Sequence, residues 1–214
     1  MQYRFTQTIL HSRTIRNFIF NVTKDIRMTD VQTLKSKLLK RYDELGFDPA
    51  AAFPNLGLNS FTKRYIKNIL ARVTSYIEEQ TGVAPNYCNY MNIKTKNPYE
   101  IEHIITDHYE WFTDEYADQV DFKRWRNNIG ALLLLHKSIN ASLKDAKFDY
   151  KVGKYCSNEG NIYTESLGDE AYQNNPQFLR FIKNNDLSFK PYEQFGKARS
   201  EERRVGKECL RLCR

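Results

Sequence analysis

The chain has 214 residues, 41% hydrophobic and 14% aromatic, which is long enough to bury roughly 70% of the surface its unfolded form exposes and too apolar for a disordered chain. No stretch approaches the roughly 18 apolar residues of a membrane span, and the N-terminal run to Phe18 lacks an apolar core followed by a small-residue cleavage site. A cytoplasmic globular protein is expected. Residues Arg199 to Cys209 read as the translation of a common sequencing adapter, so 199–214 is set aside from fold reasoning. Without its six basic and three acidic residues the net charge falls from +7 to +4, compatible with a nucleic-acid partner without predicting one. Cys88 and Cys156 then remain, with no C-x-x-C pairing and no His cluster, so reduced thiols rather than a structural zinc site are expected.

Val31, Leu34, Leu38, Tyr42 and Leu45 recur at helical spacing between Met28 and Gly46, with Thr29 or Asp30 as cap and Gly46 as stop. Pro and Gly mark a loop over 47–59. Ser60 then caps a helix running to Gly82, with Phe61, Tyr65, Ile69, Val73 and Ile77 as its inner face. Lys63, Arg64, Lys67 and Arg72 lie on the other face, where cations either are solvated or touch phosphates. Two β-branched and aromatic runs, Tyr90 to Ile93 and Tyr99 to Ile105, flank Lys96-Asn97-Pro98 and predict a hairpin. Asp114 to Asn127 is polar, with Tyr116, Val120 and Trp125 interspersed. Gly130 to Leu135 reads as a short buried strand, 140–155 as one helix, and Asn175 or Pro176 to Asn184 as a last helix with Phe178, Leu179 and Ile182 inside.

Of the four histidines, His103 directly follows Glu102 on the predicted second strand, and Asp107 and His108 come shortly after. Adjacent strand residues point to opposite faces. The carboxylate can therefore hold a metal on one side while the imidazole takes a proton from water on the other.

A companion pattern runs from Arg126-Asn127-Asn128-Ile129-Gly130-Ala131 through Leu132-Leu133-Leu134-Leu135-His136-Lys137-Ser138-Ile139-Asn140. Together with Ile101-Glu102-His103-Ile104 and Asp107-His108, it resembles the C-terminal HNH-like nuclease domain of GmrSD-type, modification-dependent restriction endonucleases. The resemblance covers roughly 60–198. It implies an α+β fold, mostly helical, with a small ββα-metal (HNH, or His-Me finger) nuclease core. Glu102 and Asn140 would ligate one divalent cation, most simply Mg²⁺ with Mn²⁺ as substitute, and His103 would activate water against a phosphodiester. Asp107 and His108 are candidates either to ligate the metal or to support its ligands, and Lys151, taken as three turns along one helix from Asn140, either reaches phosphate or is solvated. Asn140 has an alternative role as a helix N-cap.

The chain departs from the family pattern at two positions: Thr106 stands where a Pro is usual, and Ala131 where an Asn commonly follows the Gly. Asn127 is the candidate to supply the missing side chain. The departures favour a rival reading, a DNA-binding or scaffolding module that has lost catalysis. An all-helical interaction domain would require the 90–105 hairpin to be absent. The domain reading is 1–82 as a helical segment and 83–198 as the nuclease domain. The partner implied is DNA, modified or foreign. An upstream nucleotide-binding, ParB-like domain commonly precedes this region in family members, so the chain is read as a fragment.

Overall fold

The computed structural model describes residues 12–44, 56–156, 160–173 and 175–205. The Gly46 stop, most of the 47–59 loop and residues 206–214 of the adapter-like tail lie outside the described residues. The chain divides into two compact units, Met1–Ala52 and Phe53–Arg214.

The first unit holds α1 (Ser12–Ile26) and α2 (Val31–Glu44). Between them Met28 takes a left-handed conformation, φ 60°, and Asp30 caps α2 by accepting from the amides of Gln32 and Thr33. The two helices are tied by Arg41, whose guanidinium pairs with Asp25.

In the second unit α3 (Lys63–Gln80) is the central helix. Asn59, rather than Ser60, caps the turn that leads into it, its side-chain oxygen accepting from the amides of Phe61 and Thr62. The buried stripe is Ile66, Leu70, Val73 and Ile77, while Phe61 is 83% exposed. A row spaced strictly by four residues winds about 40° per step around the helix; alternating steps of four and three stay on one face, which is why the expected Phe61 and Tyr65 leave the core and Ile69 packs only at its edge. Of the four cations opposite, Lys67 donates to the Tyr99 carbonyl at 2.6 Å, and Arg72 donates to Asn68 at 3.2 Å and lies over the Tyr87 ring. Gly82, φ 78°, lies just past the helix end.

The expected 90–105 hairpin does not form. Tyr87–Met91 is a short helix, α4, and β1 (Tyr99–His103) pairs instead with β2 (Leu132–His136), antiparallel, with Glu102 opposite Leu133 and His103 opposite Leu132. Tyr90 drives the choice: it is buried under α3, its hydroxyl donating to Glu78 and its ring edge-on to Tyr99. The sheet itself removes the all-helical reading.

Leu132 to Leu135 are all fully buried, so β2 carries apolar side chains on both faces, as a covered strand does. Each such leucine contributes roughly 1.5–3 kcal/mol by leaving water. Four elements lie against the sheet: α3, α4, α6 (Lys137–Leu143) and α8 (Ile162–Glu165), while α5 (Gln119–Arg126) falls between the two strands in the chain. The single helix expected over 140–155 is broken. Lys144 sits at φ 41°, ending α6, and α7 (Phe148–Tyr155) starts afresh, so Lys151 is not on a helix shared with Asn140. The short α9 (Glu170–Gln173) leads to α10 (Pro176–Asn184), which begins as its sequence predicts, with Pro176 in the first turn and Asn175 accepting from the Phe178 amide. Phe178 and Phe181 are its buried residues, whereas Leu179 is largely exposed. Last is α11 (Lys197–Val205), whose Arg203 is buried over the Tyr163 ring. The unit is mixed α and β, mostly helical around a two-stranded sheet, and no described helix is long and apolar enough to cross a membrane.

Candidate functional site

β1 ends at His103, and the strand's alternation sends its last two side chains different ways. Glu102 is buried against α7. Its Oε1 accepts from Lys151 Nζ at 2.8 Å and from the Tyr155 hydroxyl at 2.9 Å. Lys151 and Tyr155 are four residues apart, hence on one helical face. The same ammonium donates to the His103 carbonyl at 2.6 Å and is only 3% exposed, so Lys151 faces the strand end and not solvent.

His103 turns toward the end of α5. That helix is begun by Asp118, which accepts from the Asp121 amide, and it buries Phe122 and Trp125. Past its last residue, the backbone is held in place by Leu58 N–H donating to the Asn127 carbonyl at 2.7 Å and by a bridge between Gly57 and Asn128. Asn127 Oδ1 thereby comes within 2.9 Å of His103 Nε2. A carbonyl oxygen can only accept, so Nε2 carries the hydrogen and the lone pair is on Nδ1. Arg126, one residue earlier, donates from Nε to the Ile105 carbonyl at 3.1 Å. Two consecutive side chains thus clasp the strand end from one helix terminus.

Burial holds the His103 imidazole at a pKa of about 4. The Arg126 charge pushes the same way and the Asn127 hydrogen bond pulls it back up; Lys151 and Asp107 exert smaller opposite effects. At neutral pH the ring is uncharged and able to take a proton.

Asn140 lies within α6, not at its N-terminus, and its amide nitrogen reaches the Ile101 carbonyl at 3.4 Å. It is therefore no N-cap but a side chain laid against β1 at the Ile101 carbonyl. Asp107 and His108 pair with other side chains, Asp107 at the site's edge. Asp107 is 3.6 Å from Arg126 Nε, and His108 pairs with Glu110, faces Asp145 at 3.8 Å and stacks on Trp111. Among the described residues no three His, Cys, Asp or Glu side chains gather as a metal cluster.

The family model for GmrSD restriction endonucleases, C-terminal domain, matches residues 52–178. The chain belongs to this family. Within one residue, the match starts at the boundary of the second compact unit, and it takes in both strands, α6 and α7. No curated protein and no solved structure matches the chain. As a GmrSD C-terminal domain it is a restriction-endonuclease-related nuclease domain, a class whose substrate is DNA.

The donor set suits a hard cation. Among the described residues no donor reaches Glu102 Oε2 or Asn140 Oδ1. One carboxylate and one amide oxygen, completed by water and phosphate, are what Mg²⁺ commonly takes. Two residues of this GmrSD site were not singled out from the sequence. Tyr155 was signalled by its four-residue spacing from Lys151, and Arg126 by its place beside Asn127.

Proposed function

We propose that the GmrSD C-terminal unit is a divalent-metal-dependent DNA endonuclease of the HNH type, with β1, β2 and α6 as its ββα core. The observation that carries this reading is a part-buried, neutral His103 whose Nε2 hydrogen is committed to Asn127, which turns Nδ1 into the free base. Nδ1 takes a proton from a water whose oxygen forms the new bond to phosphorus. The bond from phosphorus to the leaving sugar oxygen breaks, and that oxygen is protonated from solvent. Asn127 fixes the tautomer and ring orientation, the role a third group plays behind a general base. Glu102 and Asn140 would hold the cation, Mg²⁺ or Mn²⁺, which supplies Lewis-acid stabilisation of charge on the phosphate and leaving oxygen. Lys151 and Tyr155 orient Glu102 from behind and leave its second oxygen available.

DNA that is modified or foreign is the substrate this reading expects, in the cytoplasm, with a ParB-like nucleotide-binding domain upstream supplying recognition. The test is plasmid nicking in Mg²⁺ or Mn²⁺ and in EDTA. Metal-dependent nicking by the parent chain that disappears in His103→Ala is expected; nicking unchanged by His103→Ala would refute the assignment.

A second reading, a DNA-binding module without catalysis, draws on Ala131, buried and without a polar group where the family has Asn, and on Thr106, whose buried hydroxyl has no partner among the described residues. DNA binding with no cleavage by a folded, metal-supplied chain would favour it.

A further inference from the structure

We propose that Arg126 is the clamp for the phosphodiester, holding a non-bridging phosphate oxygen pair with its two terminal nitrogens beside His103. The proposal rests on the nuclease reading only for the identity of the anion.

Three observations support it. Only Nε of this guanidinium is engaged by the protein, donating to the Ile105 carbonyl at 3.1 Å and facing Asp107 at 3.6 Å. Among the described residues neither terminal nitrogen has a partner, yet neither is sealed from solvent: the side chain is 18% exposed, and these atoms are not among the buried unpaired ones. A half-buried guanidinium fixed by Nε presents a planar fork of N–H donors, the geometry that bidentate phosphate recognition uses. Second, the fork is built next to the reacting group, because Arg126 and Asn127 are consecutive and grip Ile105 and His103 respectively. Third, the other cation near His103 is not available for the task, since Lys151 is buried and spent on Glu102 and the His103 carbonyl.

Asp107, 62% exposed beside Nε, is the counter-ion that phosphate joins or displaces.

The test compares the parent chain with Arg126→Gln and Arg126→Lys, each checked for an unchanged thermal transition. Binding of a short DNA duplex is measured in EDTA across a salt series, and nicking in Mg²⁺. For Arg126→Gln the slope of log K against log salt should fall by about 1, with nicking reduced on the order of 100-fold. Arg126→Lys should keep the slope, since the charge remains, and still lose about 10-fold or more in nicking, since the fork is gone. A folded Arg126→Gln with unaltered slope overturns the clamp. So does an Arg126→Lys that nicks like the parent, and that variant decides the question if Arg126→Gln does not fold. A slope change without nicking in any variant, parent included, would sustain the clamp and refute the nuclease reading; no DNA binding by the parent chain would overturn both.

Discussion

Lys151→Met removes the ammonium from a nearly fully enclosed ion pair. Lys151 and Glu102 are 3% and 6% exposed, and the carboxylate would be left with the Tyr155 hydroxyl as its only donor. Stranding one partner of a buried pair costs roughly 3–5 kcal/mol, more than the pair itself contributes, because the uncompensated charge stays out of water. The loss should be a large fraction of a typical stability of about 5–15 kcal/mol. Replacing both partners, Glu102→Gln with Lys151→Met, leaves no charge to strand, so its cost should fall short of the summed single costs by about 2 kcal/mol or more. Urea unfolding of the full chain at pH 7, with the slope held as a check on the unfolded state, measures all three. A second readout is the His103 titration by NMR. The Lys151 charge lowers that pKa, so its midpoint should rise in Lys151→Met. A single variant costing under about 1 kcal/mol, or strictly additive costs, would refute the reasoning.

The His103 imidazole is expected to titrate near 4, against about 6.5 when unfolded. Between those values the unfolded chain binds more protons, so stability is full above about pH 6.5, falls as pH drops toward 4, and is level below that, a total of about 3 kcal/mol. His103→Gln should flatten that segment of the stability-against-pH curve. Asn127→Ala removes a hydrogen bond worth about 1 kcal/mol, and because that bond raises the His103 pKa, NMR should find the midpoint moved further down; a rise would contradict the assigned donor direction. Asp107→Asn withdraws the carboxylate beside Arg126 and should tighten duplex binding by a few-fold at low salt, with the gain fading at high salt. Leu133→Ala, at a position with no exposed surface, should cost roughly 2–5 kcal/mol in urea unfolding.

Local signals carried a good part of the fold. Asp30 as cap, Pro176 and Asn175 at the start of α10, and the leucine run of β2 were legible because caps, proline geometry and apolar runs act within a few residues. The Glu102-His103 pair and Asn127 were legible as residue types. The partner of β1 was not: Tyr90 to Ile93 has strand-like composition, and only the burial of Tyr90 against Glu78 and Tyr99 made it a helix. Lys151 looked like a phosphate ligand on a helix continuous with Asn140, until Lys144 broke that helix and α7 turned the ammonium onto Glu102.

By itself, then, the sequence determined where several elements begin and which chemical groups are on hand, since capping, proline geometry and apolar runs are short-range properties. Only the tertiary structure decided which groups meet. Asn127 reaches His103 across 24 residues, and Lys151 and Tyr155 reach Glu102 across 49 and 53. Those approaches are set by where α5 and α7 come to lie beside the end of β1, and no repeat period along the chain encodes that placement.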